Sequence, residues 1–132
     1  MILVDTSIIL DIVKADQNWA AWSRGAFEAA AIRDTVAIND VIFAELCARY
    51  DALADVEAML DVLVLEVRPL PRAALFQASK AFGTYRQRGG IKTGVLPDFF
   101  IGAHAAVEGA SLLTRDPGHV RSYFPTVTLI SP

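Results

Sequence analysis

The sequence predicts an α/β fold, a three-layer α/β/α sandwich around a central, mainly parallel sheet. Three observations carry this. Short apolar runs of strand length at residues 2–5, 35–38, 111–114 and 126–130 alternate with longer stretches of helical periodicity. Parallel neighbours need a long crossover, and a helix is the usual one, so such alternation points to a parallel sheet with helices on both faces. Acidic residues stand just past two of the strands, at Asp5 and Asp116, where sheets of this class gather their ligands.

Residues 2–5 read as a buried strand, after which Thr6 and Ser7 offer hydroxyls to the first turn of a helix running to about Lys14. A second helical pattern from about Gln17 to Arg33 carries Trp19, Trp22, Phe27 and Ile32 around an alanine-rich middle. After the strand at 35–38, Asn39-Asp40 supply the N-cap of a helix carrying Phe43, Leu46, Cys47 and Tyr50, and Glu45 lies within it. A helix near 55–63 leads to residues 63–67, which extend its end or form a short connection before Pro69 and Pro71. Residues 72–88 are helical, and 89–94 are a loop with three glycines. Pro97-Asp98 open a helix that Gly109 ends, residues 115–118 make a turn, and 126–130 are the last strand. Neither a repeat nor a linker interrupts the chain, so residues 1–132 are expected to form one domain.

The balance of residues narrows the class. An apolar content of 54% is high for 132 residues, and a core of that size does not use all of it, which favours a partner surface, a homodimer or a bound peptide. Apolar runs fall far short of the ~20 residues that span a bilayer, and no basic leader opens the chain, so a cytoplasmic protein without membrane contact is expected. A lone Cys47 excludes an internal disulfide and any multi-cysteine zinc site, and its apolar neighbours suggest a small buried hydrophobe. The net charge of −3 conceals an asymmetry: residues 1–66 hold 12 acidic and 4 basic side chains, residues 67–132 hold 3 and 8. Arg68, Arg72, Lys80, Arg86, Arg88 and Lys92 follow one another with no acid between them, a segment able to track a phosphate backbone.

Asp5, Glu45, Asp98 and Asp116 are the candidate catalytic and metal-ligating residues. Each has an ordinary role taken singly: Asp5 and Asp98 as helix caps, Glu45 as the partner of Arg49 one turn on, Asp116 as a turn residue before Pro117. Together they converge on one sheet edge, where unpaired carboxylates repel unless protonated or bridged by a cation. An all-carboxylate set with hydroxyls nearby suits Mg²⁺, with Mn²⁺ as its substitute, rather than zinc. His104 falls about 240° around the helix from Asp98 and reads as a core or interface residue; His119 reads as surface. Ser7 and Thr114 are candidates to orient carboxylates or waters, and Arg86, Arg88, Lys92 and Arg115 to position backbone phosphates.

Val4-Asp5-Thr6-Ser7, Glu45, the run from Leu96 to His104 and Leu113-Thr114-Arg115-Asp116 together resemble a PIN-domain ribonuclease, specifically a VapC-type toxin of a type II toxin–antitoxin pair. The resemblance covers essentially the whole chain. It implies a PIN-like fold, Mg²⁺-dependent endonucleolytic cleavage of RNA (tRNA or rRNA), inhibition of translation, and a homodimer. It also implies a VapB-type antitoxin that wraps and blocks the toxin, with DNA met only through that antitoxin, and it favours Trp19 and Trp22 as antitoxin contacts. The alternatives are a noncatalytic PIN-like module that binds RNA or protein, and a PIN nuclease of RNA processing. A dehalogenase-like phosphatase is disfavoured because Ser7 stands where its second aspartate belongs, and a receiver domain because no lysine follows Ser111.

Overall fold

The computed structural model describes residues 1–132. In chain order the elements are β1 (Ile2–Val4), α1 (Thr6–Val13), α2 (Ala20–Arg33), β2 (Val36–Asn39), α3 (Asp40–Cys47), α4 (Leu53–Leu63), β3 (Glu66–Arg68), α5 (Arg72–Gln87), α6 (Leu96–Glu108), β4 (Ser111–Leu113), α7 (Gly118–Tyr123) and β5 (Leu129–Ile130). The strands form one sheet in the order β3-β2-β1-β4-β5, and every pairing is parallel. The expected α/β class with helices flanking a parallel sheet is what the chain adopts.

Burial explains why β1 sits at the centre. Ile2, Leu3 and Val4 are all buried, as a strand covered on both faces must be, and β2 repeats the pattern with Val36, Ala37 and Ile38. Helix α6 is the main support of the far side: Phe99, Ile101, Ala103, His104 and Ala105 are buried along it. Its Gly102 lets the helix approach α7 closely, because a Cβ there would meet the Phe124 ring at 2.6 Å. Phe99 is fully buried, and truncating such a ring costs about 3–5 kcal/mol.

Several local expectations need correction. Residues 66–68 are a strand rather than a helix extension or plain connection: Glu66, Val67 and Arg68 expose their side chains at the sheet edge, and only backbone pairing with Ala37, Ile38 and Asn39 makes them β. Helix α7 occupies part of the presumed loop after Asp116, and the last strand shortens to two residues. Helix α2 starts at Ala20 because Asp16 Oδ1 accepts the backbone N–H groups of Asn18 and Trp19 and holds the chain in a turn first. Asn39 caps α3 as expected, accepting from Ile42 N at 3.0 Å. Cys47 is half-buried rather than buried.

Candidate active site

Strand order reverses direction at β1 and β4, and the crevice outside their carboxyl ends is where an open parallel sheet holds its ligand. Asp5 leaves β1 there, and Thr114-Arg115-Asp116 leave β4 there. The same atoms knit the two ends together: Asp5 N–H donates to Leu113 O, and Thr114 Oγ1 donates to Asp5 Oδ2 at 2.8 Å. Asp5 also caps α1, accepting from Thr6 N at 2.8 Å, and takes a third donor from Ser7 Oγ at 3.1 Å. Thr114 Oγ1 in turn accepts from Asp116 N at 3.1 Å, so one hydroxyl positions both aspartates.

Glu45 reaches the crevice from α3. Its Oε1 accepts from Thr6 Oγ1 at 2.7 Å, and it forms no ion pair with Arg49. Thr6, seen in the sequence only as a helix-start hydroxyl, therefore orients the second carboxylate while its backbone serves the first. Asp98 lies in the first turn of α6 and is not its cap; Val95 holds that position. No donor supports the Asp98 side chain. Helix α6 is tied to the end of β2, where α3 is capped, by a buried contact, Asn39 Nδ2 donating to His104 Nδ1 at 3.1 Å. Burial lowers the His104 pKa, which keeps the ring neutral and able to accept that bond. His104 is thus a core residue that braces the helix carrying Asp98.

Electrostatics bring the four acids together. Burial, followed by the charges of Asp5, Asp116 and Glu45, pushes the Asp98 carboxyl up to about 7. The positive end of the α6 dipole acts the other way and loses. Burial likewise raises Asp5, against the three hydrogen bonds that lower it, and raises Glu45 against the bond from Thr6. These couplings place the carboxylates within range of one another, yet no three side chains close to a common liganding distance. Both observations hold at once: the acids feel one another's charge, and with nothing between them they do not close into a cage. Such a set could hold a hard divalent cation that keeps several of its own waters, as Mg²⁺ does.

The sequence matches the PIN domain family over residues 2–124. This chain belongs to the PIN domain family. Its structure is similar to VapBC2 from Rickettsia felis bound to a promoter DNA fragment, at 22% identity and TM-score 0.74, covering 99% of this chain and 98% of that one. It is also similar to FitAcB from Neisseria gonorrhoeae, at 18% identity and TM-score 0.69, covering 98% and 96%. VapBC-1 from nontypeable Haemophilus influenzae matches at 17% identity and TM-score 0.73, covering 99% and 98%. No curated protein matches the chain in sequence.

The fold also positions the remaining candidate residues and two surface clefts. Arg115 turns away from the crevice: Nε and Nη2 donate to the two oxygens of buried Asp11 at 2.9 Å each, and the guanidinium lies over Trp19 at 5.2 Å. It is committed within the protein, unlike the exposed Arg86, Arg88 and Lys92, which have no acidic partner. Trp19 and Trp22 are half-buried and meet edge to face at 6.4 Å on the α1–α2 side. His119 is no free surface residue; its ring packs on Tyr85 and Phe99. A groove of about 350 Å³ opens between α3 and α6 beside Glu45, whereas a larger cleft of about 590 Å³ around Ile32, Val36 and Val64 lies at the amino end of β2, away from the acids.

Asp11 carried a usable signal in the sequence, since an acid on the inward face of a short amphipathic helix needs a buried partner. The aromatic cluster around Tyr85 carried none, because its members come from three helices.

Proposed function

We propose that this chain is a Mg²⁺-dependent endoribonuclease, with Mn²⁺ able to substitute, and the VapC-type toxin of a type II toxin–antitoxin pair. On this reading it cleaves tRNA or rRNA in the cytoplasm, acts as a homodimer, and is blocked by a VapB-type antitoxin that docks along the face carrying Trp19 and Trp22. The observation that carries the catalytic part is the Asp98 carboxyl raised to about 7 among three other acids with no basic side chain paired to any of them. Burial does most of this, and the charges of Asp5, Asp116 and Glu45 add to it with no cation beside them, which suits a site that receives one. Likeness to VapBC and FitAB structures supports the toxin part.

Asp5, Glu45, Asp98 and Asp116 would hold the cation through oxygen alone. When bound, it supplies an activated water and neutralises charge on the phosphate during in-line displacement. The protein's own contribution is placement. Thr114, Ser7 and Thr6 fix Asp5 and Glu45 before substrate arrives, and the hydroxyls leave each carboxylate further lone pairs free. Burial holds the Asp98 carboxyl well above the usual carboxylate range, and it must release its proton to act as an anionic donor. Arg86, Arg88 and Lys92 would meet the RNA backbone, which sets its register without reading its bases.

Incubating total cellular RNA with the purified protein and Mg²⁺ or Mn²⁺ tests this. Discrete cuts ending in 5′-phosphates, abolished by EDTA and by Asp98→Asn, are expected. Absence of cuts from antitoxin-free, folded, metal-binding protein would replace the nuclease with a noncatalytic RNA- or protein-binding module.

A further inference from the structure

The basic arm after α5 is not a free tail. Tyr85, in the last turn of α5, fastens it in two ways. The Lys92 backbone N–H donates to Tyr85 Oη at 3.3 Å, which spans the loop from the end of α5 to its far side. Gly90 lies flat on the same ring: a Cβ at that position would fall 2.5 Å from Cε2 and Cζ and 2.6 Å from Cε1, all within a rigid ring that cannot bend away. Gly90 N–H also donates to the Tyr85 carbonyl at 2.9 Å.

The Tyr85 ring also packs against residues close in sequence to two of the acids. Its centroid is 5.5 Å from Phe99, the neighbour of Asp98, and 5.5 Å from His119, which follows Asp116 by one turn of chain. Phe82 stacks on it at 5.8 Å and Tyr123 meets it edge-on at 6.1 Å. Two cations of the arm rest on those partners: Arg86 lies over Phe82 at 6.0 Å and Arg88 over Tyr123 at 5.5 Å. Aromatic faces hold a guanidinium without using its N–H donors, which stay available for phosphate oxygens.

We propose that Tyr85 is a positioning residue for nucleic-acid binding: it latches the loop carrying Arg88 and Lys92 in register with the carboxylate crevice, through the Gly90 contact and the Lys92 hydrogen bond. This rests on the arm meeting RNA. A loop ordered before the encounter loses less conformational entropy when it binds, so the latch acts on affinity rather than on chemistry. Removing it leaves the charges present but unregistered.

The test uses a fluorescent single-stranded RNA oligonucleotide of mixed sequence, bound by full-length protein in the Asp98→Asn background, so that nothing is cut. Tyr85→Phe keeps the ring and drops the hydrogen bond; Gly90→Ala keeps the hydroxyl and displaces the ring. Each is expected to weaken RNA binding about 3- to 10-fold. The slope of log Kd against log salt should become shallower by about 0.7 for each phosphate of the single strand that the arm no longer neutralises. In the cleavage-competent protein the same changes should raise KM at unchanged kcat, with Mn²⁺ affinity unaltered. Arg86→Ala with Arg88→Ala is the reference. If that pair weakens binding while both Tyr85→Phe and Gly90→Ala bind with wild-type affinity and salt slope, the latch is overturned and the arm stands. If the arginine pair itself binds RNA normally, the arm is not an RNA contact and the latch falls with it.

Discussion

Two groups of carboxylates flank helix α1 and receive opposite treatment. Asp11, on its buried side, is neutralised from within: a bidentate Arg115 and the Ser23 hydroxyl at 2.7 Å satisfy both oxygens. Asp5, at its start, receives hydroxyl and backbone donors only, and the three acids around it receive no cation at all. Arg115 is the neighbour of Asp116 in sequence and could have served that cluster, yet it spans to Asp11. The lesson is that this protein supplies a guanidinium where a carboxylate is structural and withholds it where charge must be compensated from outside.

Breaking the open cluster should have the largest effect. Asp98→Asn keeps the shape and removes the anionic donor, and RNA cleavage is expected to fall by more than ~10³-fold, read as single-turnover rates at saturating Mg²⁺. Next comes the support of Asp5. Thr114→Val deletes the hydroxyl that positions both Asp5 and Asp116, and Mn²⁺ affinity measured by calorimetry should weaken about 10- to 100-fold.

The closed pair predicts the reverse profile. Arg115→Ala leaves Asp11 with Ser23 alone and should lower unfolding free energy by about 2 kcal/mol in urea titrations; partial exposure of the guanidinium keeps this below the full cost of breaking a buried pair. RNA affinity and its salt slope should not change. If instead they fall with stability intact, Arg115 is a phosphate contact after all.

The smallest effect sharpens the comparison through pH. Asp98 has an ordinary value of 3.8 and a folded one of about 7, so between them the folded state binds more protons than the unfolded state. Its contribution to stability is complete below the lower value and lost as pH rises through the upper; Asp5 and Glu45, also raised, act in the same sense. In EDTA the Tm should therefore drop by about 5 °C between pH 5 and pH 8. Mg²⁺ should restore it most at the alkaline end, and Asp98→Asn should flatten the profile.

Much of this was legible in the chain. Strand ends and helix starts located Asp5, Asp98 and Asp116, because α/β topology constrains where those termini meet. Glu45 was legible because Asn39 announced the helix that carries it. Arg115 was misleading, since its partner lies 104 positions away and only the parallel pairing of β1 with β4 brings the segments that follow them together. Residues 66–68 escaped notice because an exposed edge strand has no apolar run, and its identity rests on backbone pairing that composition does not record. Helix α7 is six residues long, too short for a periodic signal.

Parallel pairing of β1 with β4 aligns Ile2 with Ser111, and that contact has a temporal consequence. Synthesis delivers the chain amino end first at about 5–20 residues per second. The central strand must wait for more than a hundred further residues before its second neighbour exists, and Thr114 and Asp116 arrive only then. Nascent fragments that stop short of β4 consequently lack Asp116, and their Asp5 lacks the Thr114 hydroxyl. The cluster is therefore completed by the late-made strand of the domain and not by the early one that carries Asp5.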